Sequence, residues 1–143
     1  MAAVTDLGFH LHLAGVVLVT LGAVHVGLPR MLGWSHDLAP LSPLNRQVSY
    51  VHTFFVGLTC ALWGLLPLTA GDALVERHPV TRMLLVGAVV FWGARLAVQL
   101  GLFNPAHARR SDRWLAASVG ATVLWTYLTG VWAWALVGQF PVA

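Results

Sequence analysis

The chain has very few charged side chains and no lysine. Only 9% of its 143 residues are charged, against 58% hydrophobic, and its basic residues other than histidine are all arginines. Because a soluble globular domain has about 25% charged residues, the composition excludes an ordinary water-soluble fold and makes the lipid bilayer the expected solvent. Most arginines follow the connections between apolar segments instead of forming one basic face, so the net charge of +3 does not indicate nucleic-acid binding.

Cysteine and known catalytic motifs are equally scarce. Cys60 has no second cysteine beside it, which excludes a disulfide and a dithiol redox pair. No HExxH motif, phosphate-binding glycine loop, paired-carboxylate site or Ser-His-acid arrangement can be assembled, so hydrolase chemistry is not favoured. The residues up to Asp6 carry no positive charge ahead of the first apolar run, so we expect no cleavable secretory signal.

Four apolar segments have the length of membrane spans. They cover approximately residues 7–28, 48–68, 83–103 and 114–137, each near the roughly 20 residues that cross a hydrocarbon core. The sequence therefore predicts an all-α protein whose residues 1–143 form a single domain, a four-transmembrane-helix bundle. Between helices 1 and 2 we expect a short interfacial segment, with Trp34 at the level of the lipid headgroups.

Capping residues and prolines mark the expected helix ends. In chain order they are Thr5 with Asp6 at the first start, Pro29 at the first end, Ser42 before Pro43, Pro79, Asn104 with Pro105, and Ser111 with Asp112. The arginines set the orientation: five lie on the side of the first and third connections, and only Arg77 and Arg82 lie in the second. The positive-inside rule then predicts a multi-pass protein of a bacterial cytoplasmic membrane with both termini outside the cytoplasm.

Arg95 is the one charged residue inside an apolar segment. Burying it costs about 2.5–3.5 kcal/mol on insertion scales, and none of the four segments contains an acid. Its counter-charge is then an anionic ligand such as a carboxylate or phosphate, an acid of another subunit, or carbonyls and water reached by snorkelling. Gln99, four residues later, lies on the same helix face.

Two histidines are expected near the same membrane face. His25 precedes the end of helix 1 by about one turn, and His52 follows the start of helix 2 by about one turn, so we expect them to share a depth. Neutral imidazole is a good ligand for zinc, copper or iron, so His25 and His52 are candidate metal or haem ligands and candidate proton-transfer groups. The alternative is that each forms a hydrogen bond to a neighbouring helix. His10 and His12 diverge on a helix and form no ligand pair.

Small polar and tryptophan side chains recur at helical spacing. On helix 4 they are Ser118, Thr122, Trp125, Thr129 and Trp132, and on helix 2 they are His52, Thr59 and Trp63. Close helix packing with an aromatic belt is the favoured interpretation, and the lining of one cavity is the alternative. If a ligand binds, we expect Gln99 and Thr122 to orient it while Trp63 and Trp125 pack against it.

Two sets of motifs resemble known membrane proteins. Pro29-Arg30-Met31-Leu32-Gly33-Trp34, Leu44-Asn45-Arg46-Gln47 and Phe91-Trp92-Gly93-Ala94-Arg95-Leu96 are similar to segments of short bacterial four-helix membrane proteins without an assigned activity. Asn104-Pro105 and Arg113-Trp114 more distantly resemble the anthrone-oxygenase-like membrane proteins. In that family the proline precedes the asparagine, and a histidine and an arginine follow the tryptophan. Residues 117–122 lack that pair, so no catalytic role is transferred.

Two hypotheses follow for the function. In the first, the arginine-rich half of the bundle binds an anionic or flat amphipathic ligand, or a haem or transition-metal cofactor, with redox chemistry on a quinone-like or polyaromatic lipid as the expected oxidoreductase reaction. In the second, the chain is a non-catalytic subunit of a larger membrane complex, as a homo- or hetero-oligomer. Transport is disfavoured because the polar groups concentrate in one half of the membrane.

Overall fold

Helices account for nearly all of the described chain. The structure is a computed structural model that describes residues 6–102 and 112–141, and no strand occurs among them. Its helices are α1 (Leu7–Met31), α2 (Trp34–Asp37), α3 (Pro43–Val75), α4 (Pro79–Gly101) and α5 (Asp112–Val137). By length and composition α1, α3, α4 and residues Trp114–Val137 of α5 can cross a membrane. The predicted all-α class with four membrane-spanning helices is confirmed.

Three predicted helix starts are confirmed, two of them by a side-chain hydrogen bond. The Asp6 carboxylate accepts the Gly8 N–H at 2.9 Å, and the Ser42 hydroxyl accepts the Asn45 N–H at 3.3 Å. Pro79 occupies the first turn of α4, where it needs no N–H partner, after His78 as the N-cap. The predicted roles of Thr5, Asn104, Pro105 and Ser111 lie outside the described residues.

The first two predicted spans are shorter than the helices that contain them. Helix α1 continues through Pro29 to Met31, because a proline in the last turn removes only one backbone donor, and it stops before Gly33. Gly33 has φ +67°, a left-handed conformation that favours glycine and ends a helix. Helix α3 begins at Pro43, includes Pro67 and is interrupted only at Ala70, where φ is −136°. Both spans therefore exceed their apolar cores.

The segment between α1 and α3 contains the short helix α2. Trp34 at its start makes an edge-to-face contact with Tyr50 of α3, with ring centroids 5.6 Å apart. The predicted short segment is therefore present as one helical turn held by an aromatic pair. Its position at the membrane interface stays a prediction.

Residues 11–71 form one compact unit, here called the N-terminal unit. Glycines bring α1 and α3 into backbone contact: a Cβ atom on Gly15 would lie 2.8 Å from the Gly64 carbonyl oxygen, and one on Gly22 would lie 2.7 Å from that of Gly57. In each helix the two glycines are seven residues apart, and therefore lie on one face. The small-residue packing expected of membrane helices thus holds α1 against α3.

The second compact unit, here called the C-terminal unit, comprises described residues 6–10, 72–102 and 112–141. Helices α4 and α5 pack along each other around fully buried side chains that include Trp92, Leu128 and Trp132. After α5, Gln139 is 1% exposed; its side-chain oxygen accepts the His78 N–H at 3.2 Å and its amide donates to the Leu74 carbonyl at 3.3 Å. Gln139 thus joins the end of α3 to the start of α4.

Seven hydroxyl groups inside the spans are bonded within their own helices. Each donates to the carbonyl oxygen four residues earlier, at 2.7–3.0 Å. The residues are Thr20, Ser49, Thr59, Thr69, Thr122, Thr126 and Thr129. The polarity of these side chains is therefore largely satisfied without a second helix.

Candidate functional site

Arg95 and Gln99 form the polar centre of the C-terminal unit. Arg95 lies six residues before the end of α4, about 9 Å along the helix axis from that end. Its Nη2 donates to the Gln99 side-chain oxygen at 3.3 Å. Arg95 is half-buried and Gln99 is 5% exposed, so this pair lies in the interior of the unit. The predicted shared helix face is confirmed.

The Arg95 guanidinium lies over the indole ring of Trp125 on α5. The Arg95 Cζ atom lies 4.6 Å from the Trp125 ring centroid, within the distance of a cation–π interaction. Trp92, one turn before Arg95 on α4, stacks on the same indole, with centroids 5.7 Å apart and an interplanar angle of 12°. We call Trp92, Arg95, Gln99 and Trp125 the tryptophan–arginine site.

The tryptophan–arginine site is rich in hydrogen-bond donors. The guanidinium carries five N–H donors and no acceptor. The indole N–H groups of Trp92 and Trp125 are also buried, and neither has a hydrogen-bond acceptor within the part of the chain that the structure describes. Such a site matches a group that offers several acceptors and negative charge, such as a carboxylate or phosphate.

Thr122 lies on the same face of α5 as Trp125, together with Ser118, Thr129 and Trp132. Thr122 is half-buried and its hydroxyl donates to the Ser118 carbonyl at 2.9 Å, so its oxygen retains only acceptor capacity toward other groups. Trp132 is fully buried, and the Thr129 methyl group lies 3.9 Å from where a Cβ atom on Gly93 would be. Thr129 and Trp125 therefore contact α4, and the orienting role of Thr122 stays a prediction.

His25 lies beside a cavity in the N-terminal unit. The cavity has a volume of about 540 Å³, and α1 and α3 both contribute to its wall. The His25 Nδ1 atom lies 2.7 Å from the Leu21 carbonyl oxygen. Because a carbonyl oxygen can only accept, Nδ1 carries the hydrogen, and in the neutral ring Nε2 is then an acceptor or metal ligand.

His52 does not share the depth of His25, which corrects the sequence-based expectation. The His25 Cβ atom lies 2.7 Å from where a Cβ atom on Gly57 would be, and Gly57 is five residues, or about 7.5 Å, further along α3 than His52. His52 is exposed and does not line the cavity. The expectation failed because both helices extend beyond their apolar cores. Joint ligation of a metal or haem by the pair stays a prediction.

The remaining predicted residues divide between the two units. His25, His52 and Trp63 belong to the N-terminal unit, whereas Arg95, Gln99, Thr122 and Trp125 belong to the C-terminal unit. Trp63 is half-buried on α3. Within the described ranges, no three His, Cys, Asp or Glu side chains are grouped closely enough to hold a metal ion.

A histidine–tyrosine pair in the C-terminal unit was missed by the sequence analysis. His10 Nδ1 lies 3.0 Å from the Tyr127 hydroxyl, and the His10 ring is 5.7 Å from that of Trp134. His12 is exposed, in agreement with the predicted divergence from His10. In the predicted topology helix 1 begins and helix 4 ends on the same membrane face, but this does not specify which residues of the two helices meet.

Comparison of the chain with protein-family models, curated proteins and solved structures gives no match. The four long apolar helices agree with the coarser part of the resemblance, a small helical membrane protein. The likeness to anthrone-oxygenase-like proteins stays an expectation.

Proposed function

We propose that this protein binds a flat, acidic amphiphile through the tryptophan–arginine site, as a multi-pass protein of a bacterial cytoplasmic membrane with both termini outside the cytoplasm. The observation that carries the proposal is the Arg95 guanidinium 4.6 Å above Trp125 inside a span, with its Nη2 bonded to Gln99. An acidic headgroup would pair with the guanidinium, while the ligand body lies in the apolar surroundings of the helices.

The chemistry of the site supports an anion over a neutral lipid. In a medium of low dielectric constant, a charge-assisted bond to a guanidinium is about twice as strong as a neutral hydrogen bond. The stacked indoles of Trp92 and Trp125 favour a planar or polarisable partner. A quinone-like or polyaromatic acid satisfies both requirements, and redox chemistry on it is the reaction class that we propose to test.

Replacing the guanidinium should weaken binding of an acid but not of its ester. We expect Arg95→Gln to lower the affinity for a pyrene-bearing fatty acid at least about tenfold, the effect of losing one hydrogen bond to a charged group. The methyl ester should bind the native protein and the variant alike. The measurement is energy transfer from tryptophan to pyrene in protein reconstituted in nanodiscs.

The matched control is Arg82→Gln. Arg82 also lies over an aromatic ring, 4.9 Å from the Phe140 centroid, but it is exposed at the start of α4. Its replacement should leave binding of the acid unchanged. Equal affinities of native protein and Arg95→Gln for the acid would overturn the proposal. If Arg95→Gln instead released a co-purified protein, the accessory-subunit alternative would take its place.

A separate experiment tests cofactor binding at His25 and His52. Haem ligated by histidine would give a Soret band in the absorbance spectrum of purified protein, and a transition metal would appear in elemental analysis at a fixed ratio to the chain. If either signal is present, His25→Leu should remove it, since Nδ1 is bonded to the Leu21 carbonyl and Nε2 is the nitrogen left for ligation. A spectrum without haem, together with no stoichiometric metal, would eliminate ligation and leave the proposed binding of the acid intact.

A further inference from the structure

The cavity beside His25 has the form of a second binding site, separate from the tryptophan–arginine site. Four of its lining residues are small: Gly22 and Ala23 of α1, and Gly57 and Ala61 of α3. The Gly22–Gly57 contact brings the two backbones together, and the small side chains beside it leave space between the larger lining residues. A volume of about 540 Å³ falls within the range of about 300–1,000 Å³ that small-molecule sites occupy.

The cavity is polar at one end only. Its residues on α1 extend from Val19 to Pro29, about 15 Å along the helix, and Val19 lies at the apolar end. Toward the other end lie His25, Tyr50 and Thr53, the polar side chains among its lining residues. The cavity therefore matches a molecule with a compact polar head and a hydrocarbon tail.

His25 sets which kind of head can bind. The Leu21 carbonyl 2.7 Å from Nδ1 fixes the hydrogen on that atom, so Nε2 of the neutral ring offers a lone pair. A matching head must therefore donate a hydrogen bond. The Tyr50 and Phe54 side chains also line the cavity. The Trp34 ring packs against the Tyr50 ring, with the two centroids 5.6 Å apart. Aromatic walls favour an aromatic head.

We propose that this cavity binds a membrane quinol, the reduced form of an isoprenoid quinone. Its phenolic O–H donates to His25 Nε2, its ring lies against Tyr50 and Phe54, and its tail follows the apolar end toward Val19 and Ala61. The oxidised quinone has carbonyl oxygens and no O–H, so it leaves the Nε2 lone pair without a donor. The bond at His25 therefore favours the quinol over the quinone, whereas the hydroxyl groups of Tyr50 and Thr53 can serve either form.

The test compares both redox forms of one probe. Decylubiquinol and decylubiquinone are titrated anaerobically into the protein in nanodiscs, with binding measured by calorimetry. We expect the quinol to bind about five- to tenfold more tightly, the effect of one net hydrogen bond. His25→Phe should bring the ratio to about one while the quinone still binds. His12→Leu, which changes an exposed histidine of α1 outside the cavity, should keep the native ratio.

A second variant tests the location without altering His25. Ala23 lines the cavity and is exposed. Ala23→Leu should weaken the binding of both redox forms, because the larger side chain fills the space where the ring lies. Equal affinity of both forms for the native protein, or unchanged binding in Ala23→Leu, would overturn the proposal. A long-chain alcohol that bound as tightly as the quinol with the same dependence on His25 would overturn the aromatic assignment. Arg95→Gln should leave the quinol preference intact, so the two proposals fail separately.

Discussion

Gly15→Ala is expected to destabilise the protein, although alanine is the better helix former. At an open helical position the replacement of glycine by alanine stabilises by about 0.5–1 kcal/mol. At Gly15 the new methyl carbon would lie 2.8 Å from the Gly64 carbonyl oxygen. A Cβ atom on Gly64 would likewise lie 2.7 Å from the Gly15 carbonyl oxygen. Backbone atoms cannot rotate away as a side chain can, so α1 and α3 must separate. We expect a loss of about 1–3 kcal/mol.

The sign of the effect distinguishes helix contact from helix propensity. Gly27, on the same helix, has only the Met31 sulfur near its missing Cβ position, at an ordinary 3.9 Å. Gly27→Ala should therefore be neutral or stabilising, and Gly64→Ala should resemble Gly15→Ala. The measurement is reversible unfolding in mixed micelles, followed by circular dichroism. Stabilisation by Gly15→Ala would show that the two helices do not touch at this point.

Gln139→Leu is expected to lower the free energy of unfolding by about 2–4 kcal/mol. The substitution keeps the side-chain size but leaves the His78 N–H and the buried Leu74 carbonyl without their partner. A buried donor or acceptor that is left without a hydrogen-bond partner lowers the free energy of unfolding by about 1–3 kcal/mol. The connection between α3 and α4 should then open more often.

Trypsin reports on that connection directly. Arg77 is exposed, and its Nε atom donates to the Gly138 carbonyl at 3.2 Å. In Gln139→Leu the bond between Arg77 and His78 should be cut several-fold faster, which mass spectrometry detects as a fragment that begins at His78. Gln47→Leu, at an exposed position of α3, should be cut at the native rate. An unchanged cutting rate in both variants would mean that Gln139 does not hold the connection.

Contacts within one helix could be predicted from the sequence, whereas contacts between helices could not. The pairing of Arg95 with Gln99 follows from four-residue spacing alone. The position of Trp125 on that guanidinium depends on the register of α5 against α4, which no apolar pattern specifies. The glycine pairs illustrate the same limit. Close packing by small residues was expected in general, but which glycines of α1 and α3 meet depends on the register of the two helices.

The error over His25 and His52 has a definite physical origin. Their depths were inferred from the ends of apolar runs, but a helix ends where its backbone loses its hydrogen bonds, at Gly33 for α1 and before Pro43 for α3. Polar residues can continue a helix beyond the hydrocarbon core. Likewise Gln139 lies beyond the last apolar run, and yet its side chain is almost fully buried.

The hydroxyl groups that bond within their own helices bear on how the last span enters the bilayer. The window within Trp114–Val137 has the lowest mean hydropathy of the four candidate spans, partly because of its threonines. Transfer of an unbonded hydroxyl into hydrocarbon costs several kcal/mol, but Thr122, Thr126 and Thr129 carry their acceptors with them. These hydroxyl groups therefore do not require a partner helix during insertion. Helix α5 can enter the lipid as a single helix and pack against α4 afterwards.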